Sequence, residues 1–391
     1  MKLNRPILHA FLFAVLALAS SSVAEETQPA LKVSPPPHRE WAFAEEGVTF
    51  DTRFPSSRVN ECTALGHGEF AIIIRPENTP INNSAWFAFK VSATTPKQIA
   101  VRLQVENGTV RYRPKISADG LKWLPLPDAA YEPGAEKNTA TMRLEVGPEP
   151  LWVAAQEVVS TERLDSWSRT LERLPHVTRA IYGKSARGTP LQKLEVGAGA
   201  KDYVIIVSRQ HPPETTGSLA LMTFVETIAG DSALARDFRQ QFTVQVMPLL
   251  NPDGVDDGHW RHNLGGVDLN RDWVTFDQPE TTATRDAILA LRDSGRIWLH
   301  LDFHSTMHDV FYTQPDDEPT SPAGFTKEWL EAIQQRFPDY HVKRESAREP
   351  KLTTSHNWAH RILGIPAITY EIGDETDRVL LPRIATGAAE E

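Results

Sequence analysis

His211-Pro212-Pro213-Glu214 and Leu299-His300-Leu301-Asp302-Phe303-His304-Ser305 are the two stretches on which this chain turns. The first follows Asp202-Tyr203-Val204-Ile205-Ile206-Val207-Ser208, an apolar run of strand character, and precedes Thr215–Ile228, which has a helical pattern. His304 comes near the end of a second apolar run, 90 residues beyond Glu214 (304 − 214 = 90). Two histidines and one carboxylate at short-then-long spacing suit a catalytic zinc ion, which takes three protein ligands and leaves a fourth position for water. Taken singly, Glu214 is equally a carboxylate favoured at a helix N-terminus, and His304 a satisfied histidine at a strand end. The surroundings decide between these readings.

Outward from this pair, apolar runs and helical patterns alternate. Val204–Val207, Phe242–Pro248, Ile297–Phe303 and Ala367–Ile372 read as nearly continuous apolar strands. Helices are expected at Gln156–Leu174, Thr215–Ile228, Glu280–Arg292, Pro322–Phe337 and His356–Leu363. The alternation predicts an α/β domain over 151–391, with a mixed, mostly parallel sheet and helices on both faces. His211 and Glu214, Asn251, His304 and Glu371 all stand at or just past the C-terminal ends of these runs. Ligands collect at that edge of an open α/β sheet.

Before Pro150 the rhythm differs. Phe70–Ile74, Ala85–Val91, Ile99–Val105, Thr109–Tyr112 and Thr141–Val146 are short runs separated by turn signals such as Asn107-Gly108, Asp119-Gly120 and Pro133-Gly134. They predict a small antiparallel β-sandwich over 41–150. Residues 25–40 form a Pro-rich leader. Residues 1–24 carry the marks of a cleavable signal peptide: Lys2 and Arg5, apolar Ile7–Ala19, then Ser22-Val23-Ala24. The apolar stretch is short for a bilayer span, so a periplasmic or secreted protein without a membrane anchor is expected.

Bulk composition narrows the function classes. A net charge of −10 with no basic cluster argues against a nucleic-acid partner. Cys62, the only cysteine, leaves no internal disulfide and no thiolate cage for a metal. With 391 residues, 40% of them hydrophobic, the chain can fill one large core or two modest ones.

Between the two metal arms lie Asn251-Pro252-Asp253-Gly254-Val255, Trp260-Arg261-His262-Asn263 and Gly266-Val267-Asp268-Leu269-Asn270-Arg271-Asp272-Trp273. Near the C-terminus comes Thr369-Tyr370-Glu371-Ile372-Gly373-Asp374-Glu375. In this order, with His-x-x-Glu and the later His, the motifs resemble the zinc carboxypeptidase family of carboxypeptidase A over residues 160–375. A β-rich domain ahead of the motifs, and Pro rather than Arg between His211 and Glu214, are similar to the cytosolic carboxypeptidase-like branch. The simple signal peptide suggests an exported bacterial member of it.

The resemblance implies the zinc carboxypeptidase fold, one zinc ion (Zn2+) held by His211, Glu214 and His304, and Glu371 as general base. A carboxylate ending an apolar strand is partly desolvated, which raises its pKa toward a useful range. An exposed strand-end glutamate is the plainer alternative, and Asp374 and Glu375 are rivals for the role. Arg261 would stabilise the oxyanion. Asn270 and Arg271 would grip a terminal carboxylate, and Asp268 would orient His211 from behind. A solvated loop with ordinary salt bridges is the alternative for these polar residues.

The implied activity is hydrolysis of the last peptide bond of a peptide with a free C-terminal carboxylate. A deacylase of N-acyl amino acids is the enzyme runner-up, and a non-catalytic peptide- or cell-wall-binding protein stands third. His259, His262, His308 and His356 match no ligand of the family. Asp302 shares strand parity with His304 and is expected to support the sheet edge. The best-known members also carry a mobile tyrosine ahead of the base. Only Tyr340 and Tyr370 occur in 340–370, and Tyr370 should face away from Glu371.

Overall fold

Alternating burial builds the N-terminal part as two packed sheets. The computed structural model describes residues 31–32, 38–347 and 353–391, so the expected signal peptide and most of the leader lie outside the described residues. One sheet orders its strands 124–125, 115–117, 151–154, 88–93, 48–51, 40–43; the other 131–133, 139–146, 97–105, 69–74, 61–66. Along Lys97–Val105, Ile99, Val101, Leu103 and Val105 point inward, and Ala140, Met142, Leu144 and Val146 do so from the neighbouring strand. With Phe50, Phe70 and Phe89 they fill the space between the sheets.

Three details differ from the sequence expectation. Glu69–Ile74 runs parallel to Lys97–Val105, so the sandwich is not purely antiparallel. Its last strand, Leu151–Ala154, carries it past Pro150. Thr109–Tyr112 forms no strand. There the Asn83 side chain holds both the Thr109 N–H (2.7 Å) and its hydroxyl (2.7 Å), and Arg111 departs to bond Asp374 in the next domain (2.9 Å). These polar anchors override the β-propensity of Val110 and Tyr112.

The C-terminal part is an eight-stranded mixed sheet in the order 177–184, 190–196, 243–247, 202–208, 296–306, 367–373, 310–313, 344–346. The four strands from 243–247 to 367–373 run parallel, as does the outer pair 310–313 with 344–346. The other three ladders are antiparallel, so parallel pairing is confined to the centre and one edge. The apolar runs are continuous because both faces are covered. Val204 and Ile206 pack under helices 161–171, 215–229, 325–336 and 380–390, whereas Tyr203, Ile205 and Val207 pack under 279–294 and 355–363. Among the described residues no single helix is long and apolar enough to cross a membrane.

The two parts share a core. Trp260, from the loop after the helix Pro252–Asp256, is fully buried within the sandwich cluster. Gly258, at φ +62°, lets that loop lie against Ser57 and Arg58, where a side chain would collide with the Ser57 carbonyl.

Candidate metal centre and active-site cleft

The strand Asp202–Ser208 ends in a turn fixed from inside. Arg209, at φ +56°, sends its buried guanidinium to the Pro212 carbonyl (3.0 and 2.7 Å), the Val159 carbonyl (3.0 Å) and the Ser218 hydroxyl (3.1 Å). Pro212 and Pro213 lock φ through the same turn. Glu214 thereby stands immediately before the helix Thr215–Ala229. Gly217, in its first turn, is pressed on the His304 backbone, where any Cβ would collide. The helix and the strand Arg296–Thr306 are held close enough for their side chains to share one centre.

At that centre His211 Nδ1 lies 2.8 Å from Glu214 Oε1, and His304 Nδ1 lies 2.7 Å from Glu214 Oε2. All three candidate ligand atoms lie within 4.8 Å of one another, and all three residues are buried. The outer nitrogens are paired too: His211 Nε2 with Asp268 Oδ1 (2.9 Å), His304 Nε2 with Asp302 Oδ2 (2.9 Å). Two imidazoles and a carboxylate, each imidazole backed by a second carboxylate, are the donor set and outer support of a zinc site. Burial opposes the ionisation of Glu214, but the two histidines outweigh it and hold its pKa well below the ordinary carboxylate range. Burial likewise disfavours charge on His304, yet Asp302 and Glu214 on either side raise its pKa well above that of a free imidazole. The pocket is built for positive charge.

Glu371 pairs in register with His304 on the adjacent strand Ala367–Gly373. Its Oε2 is buried with no hydrogen-bond partner among the described residues. Burial, reinforced by the nearby Glu214 charge, pushes its pKa up to about 7. Arg261 donates from Nε to Asp268 Oδ2 (2.8 Å), and its Nη1 lies 3.7 Å from Glu214 Oε1. Asp268 also accepts from the Asn270 N–H (2.9 Å), so one carboxylate braces His211, Arg261 and the following turn. Burial works against that charge, but His211, Arg261 and Arg271 keep its pKa far below normal.

Asn270 accepts the Ser355 N–H at Oδ1 (2.9 Å), leaving its amide nitrogen 3.4 Å from His304 Nε2. Arg271 is exposed and ties Nη1 to the Asn270 carbonyl (2.8 Å). His211, Glu214, Arg261, Asn270, Arg271 and Glu371 all line one cleft of about 950 Å³. His304 and Asp268 stand behind its wall, bonded to Glu214 and His211.

Several expectations need correction. Asp302 does more than support the sheet edge: it is wholly buried, accepts from Gln210 Nε2 (2.7 Å) and from the Ser355 hydroxyl, and also pairs with His304. Its shared parity with His304 places the carboxylate beside that ring. His356 stands outside the His211-Glu214-His304 group but lines the cleft, with Nδ1 2.8 Å from the Thr369 hydroxyl, and burial pushes its pKa down to about 4. Tyr340 and Tyr370 are both buried, and Tyr370 stacks on Phe311 on the opposite face. The tyrosine that does line the cleft is Tyr312, upstream of residues 340–370. The sandwich also contributes Asn82, Asn83, Ser84 and Arg111 to the lining, which no local pattern announced. Asp374 is committed to Arg111 (2.9 Å) and Glu375 to Lys115 (3.3 Å), so the rivals of Glu371 are engaged at the domain junction. His259 and His262 belong to the loop around Trp260, and His308 pairs with Lys343.

Comparisons with known proteins agree with this geometry. Residues 164–385 match the family profile described as Zinc carboxypeptidase. Cytosolic carboxypeptidase 3 of Mus musculus is 37% identical over 292 residues, which cover 66% of this chain and 29% of that protein. Cytosolic carboxypeptidase 3 of Bos taurus is 25% identical over 298 residues, with the same two coverages, 66% and 29%. The chain therefore spans less than a third of the length of these two relatives. A metallo-carboxypeptidase from Burkholderia cenocepacia superposes with a TM-score of 0.75 at 20% identity, covering 88% of this chain and 96% of the other. A metallo-carboxypeptidase from Pseudomonas aeruginosa, in complex with (2-guanidinoethylmercapto)succinic acid, gives 0.72 at 18% identity over 87% and 97%. Since the family profile covers more than half of the sequence, and its motifs meet around one buried His-Glu-His centre, this chain belongs to the zinc carboxypeptidase family.

Proposed function

We propose that the protein is a zinc-dependent carboxypeptidase that removes the last residue of peptides bearing a free C-terminal carboxylate. The observation that carries this reading is the shared cleft: His211 and Glu214 of the metal centre, Glu371 with an unpartnered oxygen, and Asn270 and Arg271 line the same space. Zinc held by His211, Glu214 and His304 would supply a Lewis acid that polarises the scissile carbonyl and makes water more acidic. Arg271, planar and exposed, receives the substrate carboxylate through paired hydrogen bonds, and the Asn270 amide nitrogen, which also lies 3.4 Å from His304 Nε2, adds a donor. Glu371 accepts the proton of the attacking water and returns it to the leaving amine. Arg261 faces the negative charge that develops on the carbonyl oxygen. The N-terminal sequence supports action outside the cytoplasm, and the names of the relatives support peptides as substrates.

The test compares an N-blocked dipeptide as free acid, the same dipeptide as amide, and an N-acetyl amino acid. The free acid should be hydrolysed far faster than either. Equal rates on acid and amide would remove the carboxylate clamp, and preference for the N-acetyl amino acid would make the protein a deacylase.

A further inference from the structure

The loop that carries Arg261 is not held by its own domain alone. Glu77, on the sandwich segment just after the strand Glu69–Ile74, is 5% exposed and reaches across the junction. Its Oε2 accepts the Trp260 N–H (2.8 Å), and its Oε1 accepts the N–H groups of Arg261 (2.9 Å) and His262 (2.7 Å). Three consecutive backbone donors thus converge on one carboxylate. Around it, Asn78 donates to the Gly266 carbonyl (3.0 Å) and bonds His262 Nδ1, while Arg58 donates to the Gly258 carbonyl (3.2 Å). Trp260 fills the sandwich core beside this cradle. Burial disfavours charge on Glu77, but His259, Arg58 and the donated N–H groups keep its pKa below the ordinary value, so it is a carboxylate at neutral pH.

We propose that Glu77 is a positioning residue for Arg261: the sandwich domain fixes the backbone of the oxyanion-stabilising arginine, while Asp268 fixes its guanidinium. This rests on the role given to Arg261 above. An arginine anchored at one end only would swing through its long side chain, and its charge would no longer meet the oxyanion. The N-terminal domain is then part of the catalytic apparatus, although the residue that makes it so never touches substrate.

Glu77→Gln is the probing change. It keeps the shape and one acceptor, but sets an amide N–H against the Trp260 N–H. The full-length wild type, Glu77→Gln, Arg261→Ala and the double variant are compared for kcat, KM, zinc content and melting temperature on a free-acid peptide. A misplacement of about 1 Å can cost on the order of 100-fold, so Glu77→Gln should lower kcat by about 10- to 100-fold. Bound zinc should stay unchanged and KM should shift by less than about threefold, as expected for an interaction made in the transition state. The double variant should be no slower than Arg261→Ala alone, because both changes remove the same contribution. Wild-type kcat in Glu77→Gln, or losses that multiply in the double variant, would overturn the proposal. A purely structural role would lower the melting temperature and multiply. Should Glu77→Gln not fold, Glu77→Asp keeps the charge on a shorter arm; a folded Glu77→Asp with undiminished kcat is equally fatal. Full activity in Arg261→Ala, or none in the wild type, is a different result: it removes the role of Arg261 itself, and the proposal with it.

Discussion

The metal arms and the Arg261 loop face each other across one cleft, yet they are supported in different ways. His211, Glu214 and His304 are positioned wholly within the α/β domain: by a proline-locked turn, by Gly217 pressed on His304, and by Asp268 and Asp302 behind the rings. Arg261 depends on two domains, with Glu77 on its backbone and Asp268 on its guanidinium. The proposed metal ligands and the proposed oxyanion-stabilising arginine therefore have separable supports in this molecule. The Asp268 carboxylate serves both sides, bonding His211 Nε2 and accepting from Arg261 Nε.

That separation can be broken from either direction. The largest effect should come from His304→Ala, which deletes a proposed ligand and leaves the buried Asp302 without its imidazole partner. Bound zinc and turnover should vanish together, and zinc retained at the wild-type level would remove His304 from the site. Glu371→Gln comes next. Loss of a general base typically costs about 10²- to 10⁴-fold, so turnover should collapse while zinc stays bound. A parallel loss of metal in that variant would make Glu371 a ligand rather than a base.

Asp268→Asn should weaken both sides at once. Removal of a carboxylate behind a metal-bound histidine typically costs about 10- to 100-fold in affinity or activity, and here kcat should fall in addition to zinc affinity. A change in zinc affinity alone would show that the brace on Arg261 is idle. Arg271→Ala should act only on the clamp. Hydrogen bonds to charged groups are worth about 1.5–3 kcal/mol, so the acid-over-amide preference should drop by roughly 10- to 100-fold, with hydrolysis of the amide little altered.

The mildest probe is pH. Burial and the Glu214 charge push Glu371 up to about 7, so the base keeps its proton in acid and becomes available as pH rises. A bound cation works the other way and lowers that midpoint. The kcat/KM profile should therefore climb with pH to a midpoint at or below about 7. A profile that falls over this range would contradict the assigned protonation state.

The sequence carried the metal side well, for a physical reason. Strands buried on both faces read as unbroken apolar runs, and the residues ending them, His304 and Glu371 among them, fall at one sheet edge whatever the loop lengths. Helix Thr215–Ala229 is visible for a related reason, since its largely buried, apolar run begins where Glu214 ends the turn. The hairpin Val177–Lys184 with Pro190–Val196 went unread, because an edge strand with mixed exposure, such as Val177–Lys184, lacks a continuous apolar signal. Helix Leu380–Glu390 was missed beside the C-terminus, although its apolar face closes the core under Trp329.

The Arg261 side was only half legible. Its motif named the arginine, but the partner that holds it stands 184 residues earlier in another domain, and no local spacing announces such a contact. Arg111 and Asn83 were hidden for the same reason, and Arg111 stands in addition inside a stretch, Thr109–Tyr112, whose β-propensity pointed to a strand. Asp302 is a different case: strand parity puts it beside His304, but parity does not tell a carboxylate that supports the sheet from one that pairs with that imidazole.

The most direct measurement is the zinc content of the purified full-length protein alongside Glu371→Gln and His304→Ala, with peptide hydrolysis assayed on the same samples. One ion per chain should be found in the wild type and in Glu371→Gln, with hydrolysis only in the first, and no ion in His304→Ala. Equal zinc in all three, or hydrolysis that persists in His304→Ala after chelation, would contradict a metal centre built from His211, Glu214 and His304.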